Sequence, residues 1–372
     1  MSKSPLSNLI HMYFKLEVIL NKLILGFDNQ QPLCFQTGDK QGTSVTIRPP
    51  TSEEKQKHKG EFLVCTALTE EEPTSEVRTI FEGLQQKPKA DTLNATEVTN
   101  LKVQGKLKSK NQASKLPNPL KDFTSQIHHR LADSVRRTAR IIRWRWAMNI
   151  RHEPIKLTLG VYWSFDNNKW FPLPRELYLM GGHFEFYFQP SARMRSEMES
   201  LIKGGNNEPL GHELFLEAWE LRKSNPRSAL IIGMSAAEVG FKQCIGKLVP
   251  GAEWLATNAP TPPLDKMLSN YLPKLPAKLT IEGRVLKPAR TIISAIRKGI
   301  EARNKTVHVG SKAPRWDDLE ELLLSIRDFL YLLDYYCGFE WALEYIRDEV
   351  RAEMVTEFDL KSTNPYSTID LT

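Results

Sequence analysis

The stretch Asn225-Pro-Arg-Ser-Ala-Leu-Ile-Ile-Gly-Met-Ser-Ala-Ala-Glu-Val-Gly-Phe-Lys-Gln-Cys-Ile-Gly-Lys-Leu248 decides how the C-terminal third of this 372-residue chain folds. Asn is a preferred N-cap, and Pro226 suits the first helical position, where its missing N–H is not needed. From there Leu230, Met234, Ala237, Phe241, Cys244 and Leu248 recur at steps of three and four, the period of one helical face. Pro250-Gly251 stops the pattern. A helix with such a stripe has to bury it against other elements.

Helical neighbours stand on both sides in the sequence. Ser191–Lys203 and Pro209–Lys223 precede the segment. Pro288–Val309 and a long helix over Asp317–Arg351 follow it, after a proline-rich stretch, Thr257–Lys278, with a short helical piece. The long helix carries Leu319, Leu322, Leu323, Ile326, Leu330, Leu333, Cys337 and Trp341 on its buried side.

Ahead of residue 190 the period changes from helical to alternating. Leu16, Val18 and Leu20 alternate within Phe14–Phe27, and Thr43–Arg48 and Phe62–Thr66 are short β-like runs. Residues 75–86 read as a short helix, and 88–119 as a polar linker poor in aromatics. A basic amphipathic helix near 122–150 has Phe123, Ile127, Leu131, Val135, Ala139, Ile142 and Trp146 on its apolar side. Strands are expected at Ile155–Trp163, Glu176–Met180 and His183–Phe188, separated by Asp166-Asn167-Asn168 and Gly181-Gly182. The expected fold is α+β: a β-rich domain over 1–190, a helical domain over 191–355 and a tail over 356–372.

Composition narrows the function classes. The chain is 41% hydrophobic and 26% charged, which suits globular domains with two modest cores. The net charge of +7 is uneven: Leu101–Gly160 holds 14 Lys/Arg against 3 Asp/Glu, and Glu340–Thr372 holds 3 against 8. A basic window can bind a polyanion, or it can be a solvated linker plus a helix with one basic face. Arg137 and Arg140 are its best phosphate-contact candidates. Trp144 and Trp146 read either as a base-stacking platform or as core, with Trp146 on the apolar stripe. The four cysteines form no CxxC pair, and His128-His129 has no carboxylate at metal-ligand spacing, so neither a disulfide framework nor a metal site is expected. No cofactor is expected either: no phosphate-binding loop, dinucleotide fingerprint or nucleophile elbow is present. The apolar run at 9–26 is broken by charges, so a cytoplasmic protein with no membrane partner is expected.

One place breaks the helical pattern. The helix from Pro288 buries Ile293, Ile296 and Ile300, and the same steps then reach Arg303, Asn304, Val307 and His308. An Arg is not buried without a partner, so the stripe either emerges into solvent or borders a polar cleft. Asn304 and His308 share a face, and the Arg303 stem can swing its guanidinium towards them. Arg holds phosphate at two points and His moves protons near neutral pH. Glu238 lies beside the stripe of its own helix, where it can hold Arg303 or His308. The plainer reading makes Arg303 and Lys305 helix-end charges and His308 a cap ahead of Gly310.

Ala302-Arg-Asn-Lys-Thr-Val-His-Val-Gly310 resembles the HEPN signature, an Arg separated by four to six residues from a His. The helix Arg227–Lys242, with Glu238, is similar to the HEPN helix that carries a polar residue. The resemblance covers Asn225 to Val350, and the N-terminal region loosely resembles β-rich domains fused to HEPN domains in bacterial abortive-infection proteins. It implies a metal-independent endoribonuclease that is a defence effector or toxin, with Arg303, Asn304, His308 and Glu238 as its catalytic set. It also implies RNA as partner, with Lys305 beside the site, and a homodimer that brings two motifs together. The alternative is a catalytically silent HEPN-like module that binds RNA, a nucleotide or a partner protein.

Overall fold

A computed structural model describes residues 11–20, 32–39, 42–58, 62–86, 118–148, 155–173, 191–258, 263–309 except 282, and 314–356. The expected linker at 88–119, apart from its last two residues, the strands at 176–180 and 183–188, and nearly all of the tail lie outside these residues. The chain is α+β and divides into two compact units, Met1–Ile142 with Glu153–Asn207, and Arg143–His152 with Glu208–Thr372. No helix among the described residues is long and apolar enough to cross a membrane.

The first unit is built on a six-stranded antiparallel sheet in the order β2-β3-β4-β1-β5-β6. Its strands are β1 (Met12–Leu20), β2 (Leu33–Gln36), β3 (Ser44–Arg48), β4 (Leu63–Glu71), β5 (Ile155–Ser164) and β6 (Phe171–Pro172). Alternation sorts its faces: Met12, Phe14, Leu16 and Val18 are fully buried while Tyr13, Lys15 and Glu17 are not. The inner face is covered by α2 (Ser75–Gln86) and α3 (Asn118–Arg145). Phe14 meets Phe81 and Phe123 edge-on at 5.8 and 5.6 Å. A one-and-a-half-turn helix, α1 (Ser52–Lys57), lies within the polar run after Pro49-Pro50. Its start is a capping box between Thr51 and Glu54.

The boundary between the units differs from the one expected at residue 190. Helix α4 (Ala192–Lys203) packs beside β2 and belongs to the sheet unit, while the last turn of α3 belongs to the helical unit. An amphipathic period says that a helix has a covered face, not which core covers it.

The second unit contains α5 (Leu210–Leu221), α6 (Pro226–Leu248), α7 (Glu253–Asn258), α8 (Leu264–Asn270), α9 (Arg290–Val309), α10 (Trp316–Tyr336) and α11 (Asp348–Thr356). Asn225 caps α6 as expected, its side chain accepting from the Ser228 N–H at 3.2 Å. Helices α5 and α6 run antiparallel in close contact. A Cβ on Gly211 would stand 3.0 Å from the Gly240 Cα and 3.1 Å from the Ala236 carbonyl oxygen, so glycine is what permits this approach. Leu323 and Leu330 of α10 lie over Gly233 and Gly240, which sets α6 and α10 parallel.

The last helix is not continuous over Asp317–Arg351. It ends at Tyr336, and Gly338 takes a φ of 103°, a left-handed turn that side chains disfavour. A 3-10 turn at Glu340–Tyr345 then leads into α11. Charges hold the reversal: Arg347 Nε donates to Asp328 Oδ2 at 2.6 Å, Nη1 to Glu321 Oε1 at 2.8 Å, and Nη2 to Ser325 Oγ at 3.1 Å. Asp328 is fully buried, and its burial pushes the carboxyl pKa up against the opposing pull of Arg347.

Candidate functional site

The inner row of α9 is Ile292, Ile296 and Gly299, continued by Ala289 just ahead of the helix, all buried. Ile293 and Ile300, two of the three stripe residues read from the sequence, are only half-buried. The buried row is therefore shifted from the expected register, with 292 and 299 in place of 293 and 300 while Ile296 keeps its place, a turn of roughly half a residue step or about 50°. The cause lies at Gly299, whose missing side chain lets Met234 and Leu322 close on the α9 backbone. In this register Arg303 continues the buried row one turn further, and Asn304 and His308 face outward.

Arg303 is the point where that row becomes polar. Its Nη2 donates to Glu238 Oε1 of α6 at 2.6 Å, so two elements 65 residues apart are joined by a charge-assisted hydrogen bond. Both side chains are partly open, at 33% for Arg303 and 21% for Glu238. The structure thus pairs Glu238 with Arg303, one of its two candidate partners. Asn304, Lys305 and His308 are exposed on the turns that follow. Among the described residues the amide of Asn304 and the imidazole of His308 have no hydrogen-bond partner, and neither is linked to Arg303. The four residues share one end of α9 and the adjoining turn of α6, but the side chains do not converge on a single point. A guanidinium held from behind, beside an open imidazole, can hold an anion and move a proton when a ligand bridges them.

The arginines of α3 correct the reading of the basic window. Arg137, a phosphate candidate from the sequence, donates instead to three backbone carbonyls of the sheet unit. Its Nη2 reaches Ile202 at 2.8 Å, its Nε reaches Asn206 at 2.9 Å and its Nη1 reaches Thr37 at 3.3 Å. It closes the C-terminal end of α4, where helical carbonyls lack partners. Arg130 pairs with Glu71. In the helical unit Arg143 is buried against Glu208, with Nε 3.0 Å from each carboxylate oxygen. Burial nonetheless pushes the Glu208 carboxyl up. Arg145, also buried, lies over the Trp341 ring at 4.8 Å and donates to the Tyr345 hydroxyl at 2.8 Å. Arg140 is half-buried. Along this helix Arg143 and Arg145 are buried, while Arg130, Arg136, Arg137 and Arg140 are partly exposed.

Trp144 and Trp146 are core rather than platform, at 1% and 6% exposure. Trp144 Nε1 donates to Asp334 Oδ2 at 2.8 Å, and His212 Nε2 meets the same oxygen at 2.8 Å. This buried node was not found from the sequence, because its members lie 122 and 190 positions apart. The available signal was Asp334 itself, a carboxylate among the apolar residues of α10. A second unread pairing lies close by, where Cys244 and Cys337 border the same cleft as His212 and Asp334. Among the described residues no group of three or more His, Cys, Asp or Glu is placed to hold a metal ion.

No protein-family model matches this sequence, and comparison with curated proteins and with solved structures finds no match either.

Proposed function

We propose that the helical unit is a metal-independent endoribonuclease of the HEPN type, acting as a defence effector or toxin. The observation that carries this reading is the Arg303–Glu238 pair at 2.6 Å, with His308 exposed on the following turn of the same helix and without a hydrogen-bond partner among the described residues. A helix-end charge without a role would project into solvent, whereas this guanidinium is turned inward and oriented by a carboxylate from another helix. Arg303 keeps part of its surface open, so a phosphate can approach it.

In this reading the ribose 2′-hydroxyl attacks the adjacent phosphorus and the 5′ oxygen leaves. The products are a cyclic phosphate and a 5′-hydroxyl end. His308 acts as general acid or base. Arg303 stabilises the charge that grows on the phosphoryl oxygens. Asn304 positions the RNA, Lys305 adds a phosphate contact, and Glu238 holds Arg303 in place. A homodimer that sets two such helix ends face to face completes the site.

The test is cleavage of single-stranded RNA in EDTA by wild type and His308→Ala. The expected result is cutting by the wild type with a cyclic-phosphate end, and a loss on the order of 10²–10⁴-fold in the variant. RNA binding with equal inertness of both proteins would leave the silent-module alternative standing. Cutting abolished by EDTA would refute the metal-independent step.

A further inference from the structure

We infer that Cys337 and Cys244 form a peroxide-reactive dithiol site, in which a hydroperoxide oxidises Cys337 and Cys244 resolves it as an intramolecular disulfide. The two sulfurs lie 3.8 Å apart, at the end of α10 and on the adjoining face of α6. A disulfide bond is about 2 Å long, so closure needs a movement of under about 2 Å, within reach of side-chain rotation. Their unequal exposure assigns the roles. Cys337 is partly open to solvent, whereas Cys244 is buried at 2%. The thiol that a small oxidant can reach is therefore Cys337.

The surroundings suit that division. The sulfurs border a cleft of about 10 Å³ shared with Lys247, Gln243, His212 and Asp334, large enough for a water-sized molecule. The neighbouring Cys244 thiol, and after it the Lys247 ammonium, hold the Cys337 thiol below its ordinary range, despite burial. Contact with Cys337 and burial push Cys244 the other way. Cys337 also caps α10 next to Gly338, where the backbone leaves the helix and can adjust. The other two cysteines lack this arrangement. Cys34 is exposed, with the Thr46 hydroxyl at 3.5 Å as its polar neighbour, and Cys65 is fully buried with its thiol pushed up by burial.

The chemistry balances with hydrogen peroxide as oxidant. The Cys337 thiolate attacks one peroxide oxygen, the O–O bond breaks, and the departing hydroxide takes a proton to become water. Cys337 is now a sulfenic acid. The Cys244 sulfur attacks it, the S–O bond breaks, and a second water leaves as the disulfide forms.

The full-length protein is reduced, freed of reductant, treated with hydrogen peroxide, blocked with N-ethylmaleimide under denaturing conditions and digested with trypsin. The expected product is the peptide Gln243–Lys247 joined to Asp328–Arg347, which separates on reduction. In Cys244→Ser the reaction stops at the sulfenic acid, and dimedone labels Cys337. Maleimide on both Cys244 and Cys337 at a peroxide dose that oxidises Cys34 would overturn the inference. So would dimedone labelling of Cys34 with none on Cys337.

Discussion

Glu238→Ala separates positioning from stability at the end of α9. The carboxylate touches Arg303 at 2.6 Å, with the partners 21% and 33% exposed. Pairs this open to water contribute about 0.2–1 kcal/mol. For a unit of this size that is a fall of a few degrees in Tm at most, on the order of 2–4 °C per kcal/mol. The effect on RNA cleavage is expected to be larger. Without Glu238 the guanidinium loses its fixed direction, and a misplacement of about 1 Å can cost on the order of 10²-fold in rate. Arg303→Ala, which removes the phosphoryl contact itself, is expected to cost about 10²–10³-fold. If Glu238 acts through Arg303, adding Glu238→Ala to Arg303→Ala costs little more, and the two losses are strongly non-additive. Glu238→Gln keeps an oxygen acceptor for the Nη2–H and should recover part of the rate. The assay is single-turnover cleavage of a labelled RNA alongside thermal unfolding of each variant. Equal losses from Glu238→Ala in the wild-type and Arg303→Ala backgrounds would refute the positioning role. A rate that merely follows the folded fraction, with no rescue by Gln, would refute it as well.

The buried Arg143–Glu208 pair is expected to behave differently. Arg143→Met leaves an uncompensated carboxylate and should cost about 3–5 kcal/mol, whereas Arg143→Met with Glu208→Leu recovers most of the loss. Urea unfolding followed by tryptophan fluorescence reads both, with a cost below about 1 kcal/mol for the single variant as the contrary result. Arg137→Met removes its donors from three carbonyls, of which Ile202 keeps the Gly205 N–H at 3.2 Å, and should destabilise the sheet unit by about 1–3 kcal/mol. The slope of RNA affinity against salt should not change, and a slope reduced by about one phosphate contact would restore Arg137 as an RNA ligand. The Arg48 guanidinium, bonded at 2.8 Å to each oxygen of Glu54, holds that carboxyl near a pKa of about 2 against an ordinary 4.5. A depressed carboxyl stabilises the fold above its unfolded value and loses that contribution as pH falls through its folded one. The sheet unit should therefore weaken between pH 4.5 and about 2, and an NMR titration midpoint for Glu54 near 4.5 would contradict this.

Local signals in the sequence carried much of this fold. Asn225 and Pro226 mark the start of α6, alternation marks β1, β3 and β5, and the period of α9 and α10 marks the helical unit. These signals act over a few residues, and helix and strand geometry repeats over the same span. Arg303 also stood out within its own helix, because a guanidinium at an apolar position needs a partner. Other outcomes depended on contacts between residues far apart in sequence. Glu238 was legible as a candidate, but only the tertiary structure paired it with Arg303 rather than His308, turned Asn304 and His308 outward, and split the last helix at Gly338. It also assigned α4 to the sheet unit and gave Arg137 to backbone carbonyls. Period and charge state what a residue requires, a covered face or a counter-charge. The neighbour that meets the requirement is chosen by packing, here by glycines such as Gly299 and Gly240 that set how closely the helices approach.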